Sequence, residues 1–217
     1  MTMADVPPDL ALLARAAMKN EIFAQIVSCK SFTIGESGAQ TERRLSNHNR
    51  LLNLYDGAVG VKTGYTKSSG RCLVGAAERE GVTLIAVTLD DPDDWNDHEA
   101  MFDYGFGNYG VVTLCEAGQC TYDVDVTGGI AHSVKCSNVS GVSVVLPKSV
   151  PAGEVELTVE YPRFLYAPVG RSQYAGRIVY RYKGEIVGCS SLAAEEEVPA
   201  RIYKKSFAEI IAGMFAR

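Results

Sequence analysis

The chain has 217 residues, of which 47% are apolar and 22% charged, with a formal net charge of −5. Such a composition describes a globular protein of one ordinary domain or two small ones. The two signs of charge are mixed, with no basic helix or aromatic-lined basic patch, which excludes a nucleic-acid footprint, and no apolar run of about 18 residues offers a membrane-spanning helix.

In chain order, Met1 to Pro8 has no positive region followed by an apolar run, so no export signal is expected. Asp5-Val6-Pro7-Pro8 signals a helix start, with a capping residue followed by prolines tolerated in a first turn. Leu10, Leu13, Ala14, Ala17 and Met18 then share one face of a helix over about 8–19. Asn20 caps a second, shorter helix carrying Ile22, Phe23, Ile26 and Val27. Both helices are expected to cover something larger than themselves. Ser31 to Arg44 reads as a linking stretch with a short strand at Phe32 to Ile34. Between Leu45 and Leu54 lie Asn47, His48 and Asn49. His48 has no relay partner in the sequence, and Asn49 is expected to hydrogen-bond backbone rather than do chemistry.

Three strands follow at about 58–63, 71–78 and 82–89, the last with little alternation, as suits a strand covered on both faces. Glu80-Gly81 makes the tight turn before it. Asp90-Asp91-Pro92-Asp93-Asp94 is an acidic, proline-broken loop without a calcium-loop pattern, read as a solvated lead-in to a helix. Asp94 or Asn96 starts that helix; Ala100, Met101, Tyr104 and Phe106 form its apolar side, and Gly105 and Gly107 are expected to stop it. From about 109 the pattern becomes short alternating segments, Val111–Leu114, Thr121–Val126, Val142–Leu146, Glu154–Tyr161, Gly176–Tyr182 and Glu185–Leu192, with a hairpin turn at Lys183-Gly184. The tail from Arg201 to Arg217 places Tyr203, Phe207, Ile210, Ile211, Met214 and Phe215 on one helical face, with basic residues largely opposite. It suits a membrane surface or packing against the β-rich module.

The six cysteines, Cys29, Cys72, Cys115, Cys120, Cys136 and Cys189, contain no C-x-x-C pair, so a zinc site is poorly supported. Cys72 reads as a small buried hydrophobe in its strand. Cys115 and Cys120 flank a turn at Glu116-Ala117-Gly118-Gln119, close enough to pair in an oxidising setting, although free thiols are the expectation for all six.

The stretch with the most chemical character is Gly60-Val61-Lys62-Thr63-Gly64-Tyr65-Thr66. Lys62 and Thr63 put a cation and a hydroxyl on opposite faces of a strand, beside backbone left bare by Gly64. Together with Asp56-Gly57, Ser69-Gly70 and Ala76-Ala77, it resembles the third active-site motif of the serine D-alanyl-D-alanine carboxypeptidases, the low-molecular-mass penicillin-binding proteins, whose fold is shared with class A β-lactamases. The resemblance continues in Asn49-Arg50-Leu51-Leu52, Trp95-Asn96-Asp97-His98 and Phe102-Asp103-Tyr104-Gly105-Phe106. It covers nearly the whole chain, strongly over 45–107 and more loosely beyond.

That family also implies a nucleophilic serine three residues before a lysine, and a second serine two residues before an asparagine. No serine in this sequence has either neighbour, and only 61 residues precede Lys62. The fold expected is therefore α+β: the C-terminal portion of a β-lactamase/penicillin-binding-protein-like α/β/α domain, an antiparallel sheet with covering helices, followed by a small all-β domain. The domains expected are 1–109, a partial catalytic domain, 110–198, a β-rich domain, and 199–217, an amphipathic helix. The chain is expected to be a truncated fragment, lacking the nucleophile-bearing portion and inactive alone.

The resemblance implies acyl transfer through a covalent intermediate at the bond between the terminal D-alanines of the peptidoglycan stem peptide. It gives Lys62 a positive potential for the substrate carboxylate, Thr63 a hydrogen bond to it, Gly64 room for the substrate to lie along the strand edge, Tyr65 an oxyanion-donating backbone N–H, and Thr66 support of that edge. Lys62, Thr63 and Gly64 are the catalytic candidates. No metal or organic cofactor is called for. The partners implied are stem peptides ending in D-Ala-D-Ala, β-lactams, the missing N-terminal catalytic portion, a second copy joined through exposed apolar surface, and a membrane surface met by 201–217. The setting implied is extracytoplasmic. A non-catalytic wall-binding or membrane-associated module is the alternative; a complete β-lactamase-like hydrolase of unrelated design is disfavoured by the absent serine–lysine pair.

Overall fold

The computed structural model describes residues 6–35 and 42–202. The tail expected to form an amphipathic helix over 199–217 therefore lies outside the described residues from 203 onward. The chain divides into two compact units, one of Met1–Val111 with Val145–Ser149, the other of Val112–Val144 with Val150–Arg217.

The first unit opens with helices α1 (Val6–Ala17) and α2 (Glu21–Ser28). Asn20 is the α2 N-cap, its side chain accepting from Phe23 N at 3.1 Å, which satisfies one of the donors a helix start leaves unpaired. Strand β1 (Ser31–Ile34) pairs antiparallel with β2 (Arg43–Ser46). The short helix α3 (Leu51–Leu54) comes next, with Leu51 and Leu52 buried. Strands β3 (Ala58–Thr66), β4 (Gly70–Arg79) and β5 (Val82–Leu89) form an antiparallel sheet in that order, and α4 (Asp94–Asn108) follows.

Alternation within the strands splits the core in two. Leu73, Ala77 and Ala86 point to one face, where Leu51, Tyr55 and Phe102 of α3, its C-cap and α4 close over them. Ala76 points to the other and packs, together with Val61, against Ala14, Met18, Phe23 and Val27 of α1 and α2. Gly75 on β4 lets α4 come close: a Cβ there would meet His98 Cδ2 at 2.6 Å and Leu51 Cδ1 at 3.1 Å. His98 is fully buried, with Nδ1 2.8 Å from Asp94 O and Nε2 3.2 Å from Ala86 O.

Two details of this unit depart from the sequence expectations. Gly105 and Gly107 do not stop α4, which runs to Asn108. Gly105 is buried against Leu84, whose Cδ1 would lie 2.4 Å from any Cβ at that position, so the glycine serves close packing rather than termination. Asp94 is not part of a solvated loop: it is 2% exposed and paired with Arg71.

Strands β6 (Tyr109–Cys115) and β9 (Val142–Pro147) pair with each other, and each contributes residues to both units. The second unit also contains β7 (Thr121–Thr127), β8 (Ser133–Asn138), β10 (Glu156–Glu160), β11 (Leu165–Tyr166), β12 (Tyr174–Tyr182) and β13 (Glu185–Ala194). They form one six-stranded sheet in the order β10-β12-β13-β8-β7-β11. The sheet is mixed, because β11 joins β7 in parallel while the other pairs are antiparallel. Val124, Val134, Ile178, Val179 and Leu192 are among its buried residues. The hairpin turn falls at Lys183-Gly184 as expected, both at positive φ (51° and 83°), in the manner of a two-residue turn matched to strand twist.

Candidate active site

The loop that feeds β3 is fixed first. Tyr55 donates its hydroxyl to Asp103 Oδ1 at 2.7 Å, and Arg79 lies 4.3 Å over its ring while donating to Asp56 O at 2.8 and 3.0 Å. Gly57, at φ 85°, passes so close to β4 that a Cβ would meet Glu78 O at 2.5 Å. These contacts set where β3 begins.

Strand β3 is an edge strand of its sheet among the described residues: β4 takes one side, with Lys62 opposite Val74, Thr63 opposite Leu73, Gly64 opposite Cys72 and Tyr65 opposite Arg71. Its first half is buried and its second half emerges, with Lys62, Gly64, Tyr65 and Thr66 exposed and Thr63 half-buried. Lys62, Thr63, Gly64 and Tyr65 line a groove of about 520 Å³ together with His48, Arg71, Cys72, Asp94 and Trp95. Lys62 and Thr63, neighbours on one strand, thus both line this groove. Lys62 Nζ donates to the carbonyl of Thr63. Thr66 differs from the others. Its hydroxyl accepts from Ser69 N at 3.0 Å and lies 2.5 Å from Ser69 Oγ, so it organises the turn into β4.

The groove is biased towards anions. Lys62 and Arg71 face it, against the single carboxylate of Asp94, which pairs with Arg71 at 2.5 Å. That hydrogen bond raises the Arg71 guanidinium above its ordinary pKa. Arg71 also stacks 5.3 Å over Trp95, with Arg50 6.0 Å from the same ring. Nearby, Asp97 is raised above the usual carboxylate range, chiefly by Asp91. Asn49 is 1% exposed and accepts from Leu51 N at 3.1 Å, which fits its expected backbone-bonding role. A larger hollow of about 1100 Å³ lies against α1, α2 and β5, but it is mainly apolar and gathers no comparable set of groups.

Sequence reasoning did not assemble His48, Arg71 and Trp95 with the strand. Arg71 carried a readable signal, since it faces Tyr65 across the short turn. His48 and Trp95 arrive from separate segments, and only the packing of α3 and α4 brings them in.

Comparison with known proteins agrees with the motif. A family profile described as D-alanyl-D-alanine carboxypeptidase matches residues 6–93. The carboxypeptidase DacF of Bacillus subtilis is 27% identical over 195 residues, spanning 88% of this chain and 49% of the relative. DacB2 of Mycobacterium tuberculosis is 36% identical over 104 residues, 45% of this chain and 35% of the relative. The crystal structure of penicillin-binding protein 5 from Haemophilus influenzae matches with a TM-score of 0.61 at 25% identity, covering 88% of this chain and 56% of that one. The chain spans about half the length of the curated relatives it matches.

These findings correct the expectation of a C-terminal part only. The likeness begins at residue 6 and runs over 88% of the chain, and α1 and α2, expected to cover something larger than themselves, close the second face of the β3–β5 sheet. The fold class is corrected likewise: a penicillin-binding-protein-like α+β fold with a mixed sheet runs through nearly the whole chain, instead of a remnant of one α/β/α domain with an all-β appendage. The expectation of an inactive fragment is corrected by the same likeness, since the relatives aligned over most of the chain are themselves named carboxypeptidases. The likeness is to proteins named for D-alanyl-D-alanine carboxypeptidase activity and for penicillin binding. Motif, sequence and fold together make this chain similar to proteins named D-alanyl-D-alanine carboxypeptidases and penicillin-binding proteins.

Proposed function

We propose that this chain takes part in serine-type D-Ala-D-Ala peptidase chemistry, with the exposed edge of β3 receiving the substrate. The observation that carries the proposal is the groove on which Lys62, Thr63 and Gly64 open together. Lys62 supplies positive potential for the terminal carboxylate, and the Thr63 hydroxyl donates to it. Gly64 keeps the strand edge clear, so that the dipeptide pairs with β3 as an added strand. The Tyr65 N–H donates to the oxyanion that develops at the scissile carbonyl. Thr66 supports this edge indirectly, by holding the turn that follows it. β-Lactams, which imitate the same dipeptide, bind the same edge. The serine–lysine order that the family uses to form the acyl-enzyme does not occur in this sequence, so the proposed roles concern substrate recognition and carbonyl polarisation.

The same reading assigns 1–109 to substrate binding, and 110–198 to a spacing or partner-contact role at the extracytoplasmic surface. Self-association is assigned to the exposed apolar residues of α1 and α2, Leu12, Leu13, Ile22 and Ile26.

The test is titration of the chain with a diacylated lysyl-D-Ala-D-Ala peptide, followed by amide chemical shifts. Resonances of Lys62 to Tyr65 are expected to move. Lys62→Ala and Thr63→Ala are each expected to weaken binding roughly tenfold, the loss of one charge-assisted hydrogen bond. The L-Ala-L-Ala peptide is expected to bind less well than its D isomer. Equal binding by both variants, or no shift on β3 at saturating peptide, would sink the proposal.

A further inference from the structure

The second unit contains a pair of thiols that the peptidase chemistry does not use. Cys115 ends β6 and is buried; Cys120 immediately precedes β7 and is half-buried. The segment between them is a closed turn, in which Gln119 N donates to Glu116 O at 3.2 Å and Glu116 N donates to Gln119 Oε1 at 2.8 Å. Asn138 of β8, 2% exposed, holds both ends of this turn. Its Oδ1 accepts from Cys120 N at 2.8 Å, while its Nδ2 donates to Glu116 O at 2.8 Å and to Ser140 O at 2.9 Å and reaches Cys115 Sγ at 3.5 Å. Cys120 Sγ stands 3.7 Å from the buried Tyr180 hydroxyl. Burial pushes the Cys120 thiol up, against the opposing hydrogen bond of Tyr180 and with smaller contributions from Cys115. Burial and then hydrogen bonds to both thiols raise Tyr180 in the same way. The two cysteines therefore stand at the two ends of one closed turn, tied to the same Asn138, with the Cys120 sulfur beside one buried phenol.

We propose that Cys115 and Cys120 are a dithiol–disulfide pair, closed by exchange with a low-molecular-mass disulfide and stapling the turn between β6 and β7. Cys120, the more exposed sulfur, attacks as thiolate, forming a mixed disulfide and expelling one small thiolate. Cys115 then attacks the Cys120 sulfur and expels the second. The oxidant's S–S bond is reduced to two thiols, which take up the two protons the cysteines release. A short loop and a pre-set backbone favour this closure over the mixed disulfide. Three of the remaining thiols donate to nearby carbonyls instead, Cys29 to that of Ser31, Cys72 to that of Ser69 and Cys136 to that of Val134.

The test treats the whole chain with oxidised glutathione, alkylates the remaining thiols and maps the tryptic peptides. Cys115 and Cys120 share the peptide 80–135, which contains no other cysteine. It is expected to be unalkylated and lighter by two hydrogens, to regain two alkyl groups after reduction, and to form up to about tenfold faster per pH unit below the raised thiol pKa. Cys115→Ser is expected to leave Cys120 glutathionylated. Peptide 80–135 carrying two alkyl groups, two glutathiones, or a link to another cysteine's peptide would overturn the proposal, and this mapping needs no variant to fold.

Discussion

Tyr55 shows how a single side chain conditions the candidate site from a distance. It sits just before the Gly57 turn into β3, and burial, followed by its bond to Asp103, pushes its phenol up to about 12 from an ordinary 10.0. Between those two values the unfolded chain has lost the phenolic proton and the folded chain still holds it. Stability from this group is thus fully present below pH 10 and is lost as the pH rises towards about 12. Urea-unfolding midpoints measured across this alkaline window are expected to fall more steeply for the wild type than for Tyr55→Phe, which cannot ionise. Parallel slopes for the two proteins would show that Tyr55 is not held in this way. The consequence for function is local: a phenolate at Tyr55 loses its donated bond to Asp103 and repels that carboxylate, loosening the start of the strand that presents Lys62 and Thr63.

Elements were legible where local chemistry and packing agree. Asn20 both reads as a cap and acts as one, and Lys183-Gly184 reads as a turn and adopts positive φ at both residues. Strands β3, β4 and β5 were visible from their apolar runs. Elements whose partners lie far away were not. β2 is exposed throughout and polar at three of four positions, so only its pairing with β1 makes it a strand. In β8, Val134, Cys136 and Asn138 alternate inward, but the third is an asparagine, buried because it holds the Cys115–Cys120 turn. The site divides in the same way: Lys62 to Tyr65 were readable as a motif, whereas His48 and Trp95 reach the groove through tertiary packing. α4 carries the clearest test of such an override. Gly105→Ala gains helix propensity of about 1 kcal/mol, yet its Cβ would lie 2.4 Å from Leu84 Cδ1. The substitution alone is expected to destabilise, and in a Leu84→Ala background to stabilise. The double-mutant cycle should give a coupling above about 0.5 kcal/mol; additive effects would mean that α4 and β5 are not held apart by this contact.

At the scale of the molecule, each unit has its own interior. The first is built on two cores on the faces of the β3–β5 sheet, and the second on the alternating residues of the mixed sheet, including Val124, Val134 and Ile178. Separate interiors imply separate cooperative transitions, and a single unfolding free energy would not describe the chain. Calorimetry is expected to resolve two transitions, which can be assigned by substitution. Gly75→Ala forces a methyl against His98 and Leu51, and overpacking of this kind costs about 1–3 kcal/mol. Asn138→Ala leaves Cys120 N, Glu116 O and Ser140 O without their partner, at about 1–3 kcal/mol for each group that stays buried and unpaired. Each variant is expected to lower one transition only, by several degrees at about 4–8 °C per kcal/mol for units of this size. Glutathione oxidation should raise only the transition that Asn138→Ala lowers. Peptide binding at β3 should survive Asn138→Ala at temperatures where Gly75→Ala has lost it. One transition moved by both variants alike would instead mean that the two interiors unfold together, and that the β-rich unit is part of what keeps Lys62, Thr63 and Gly64 on their groove.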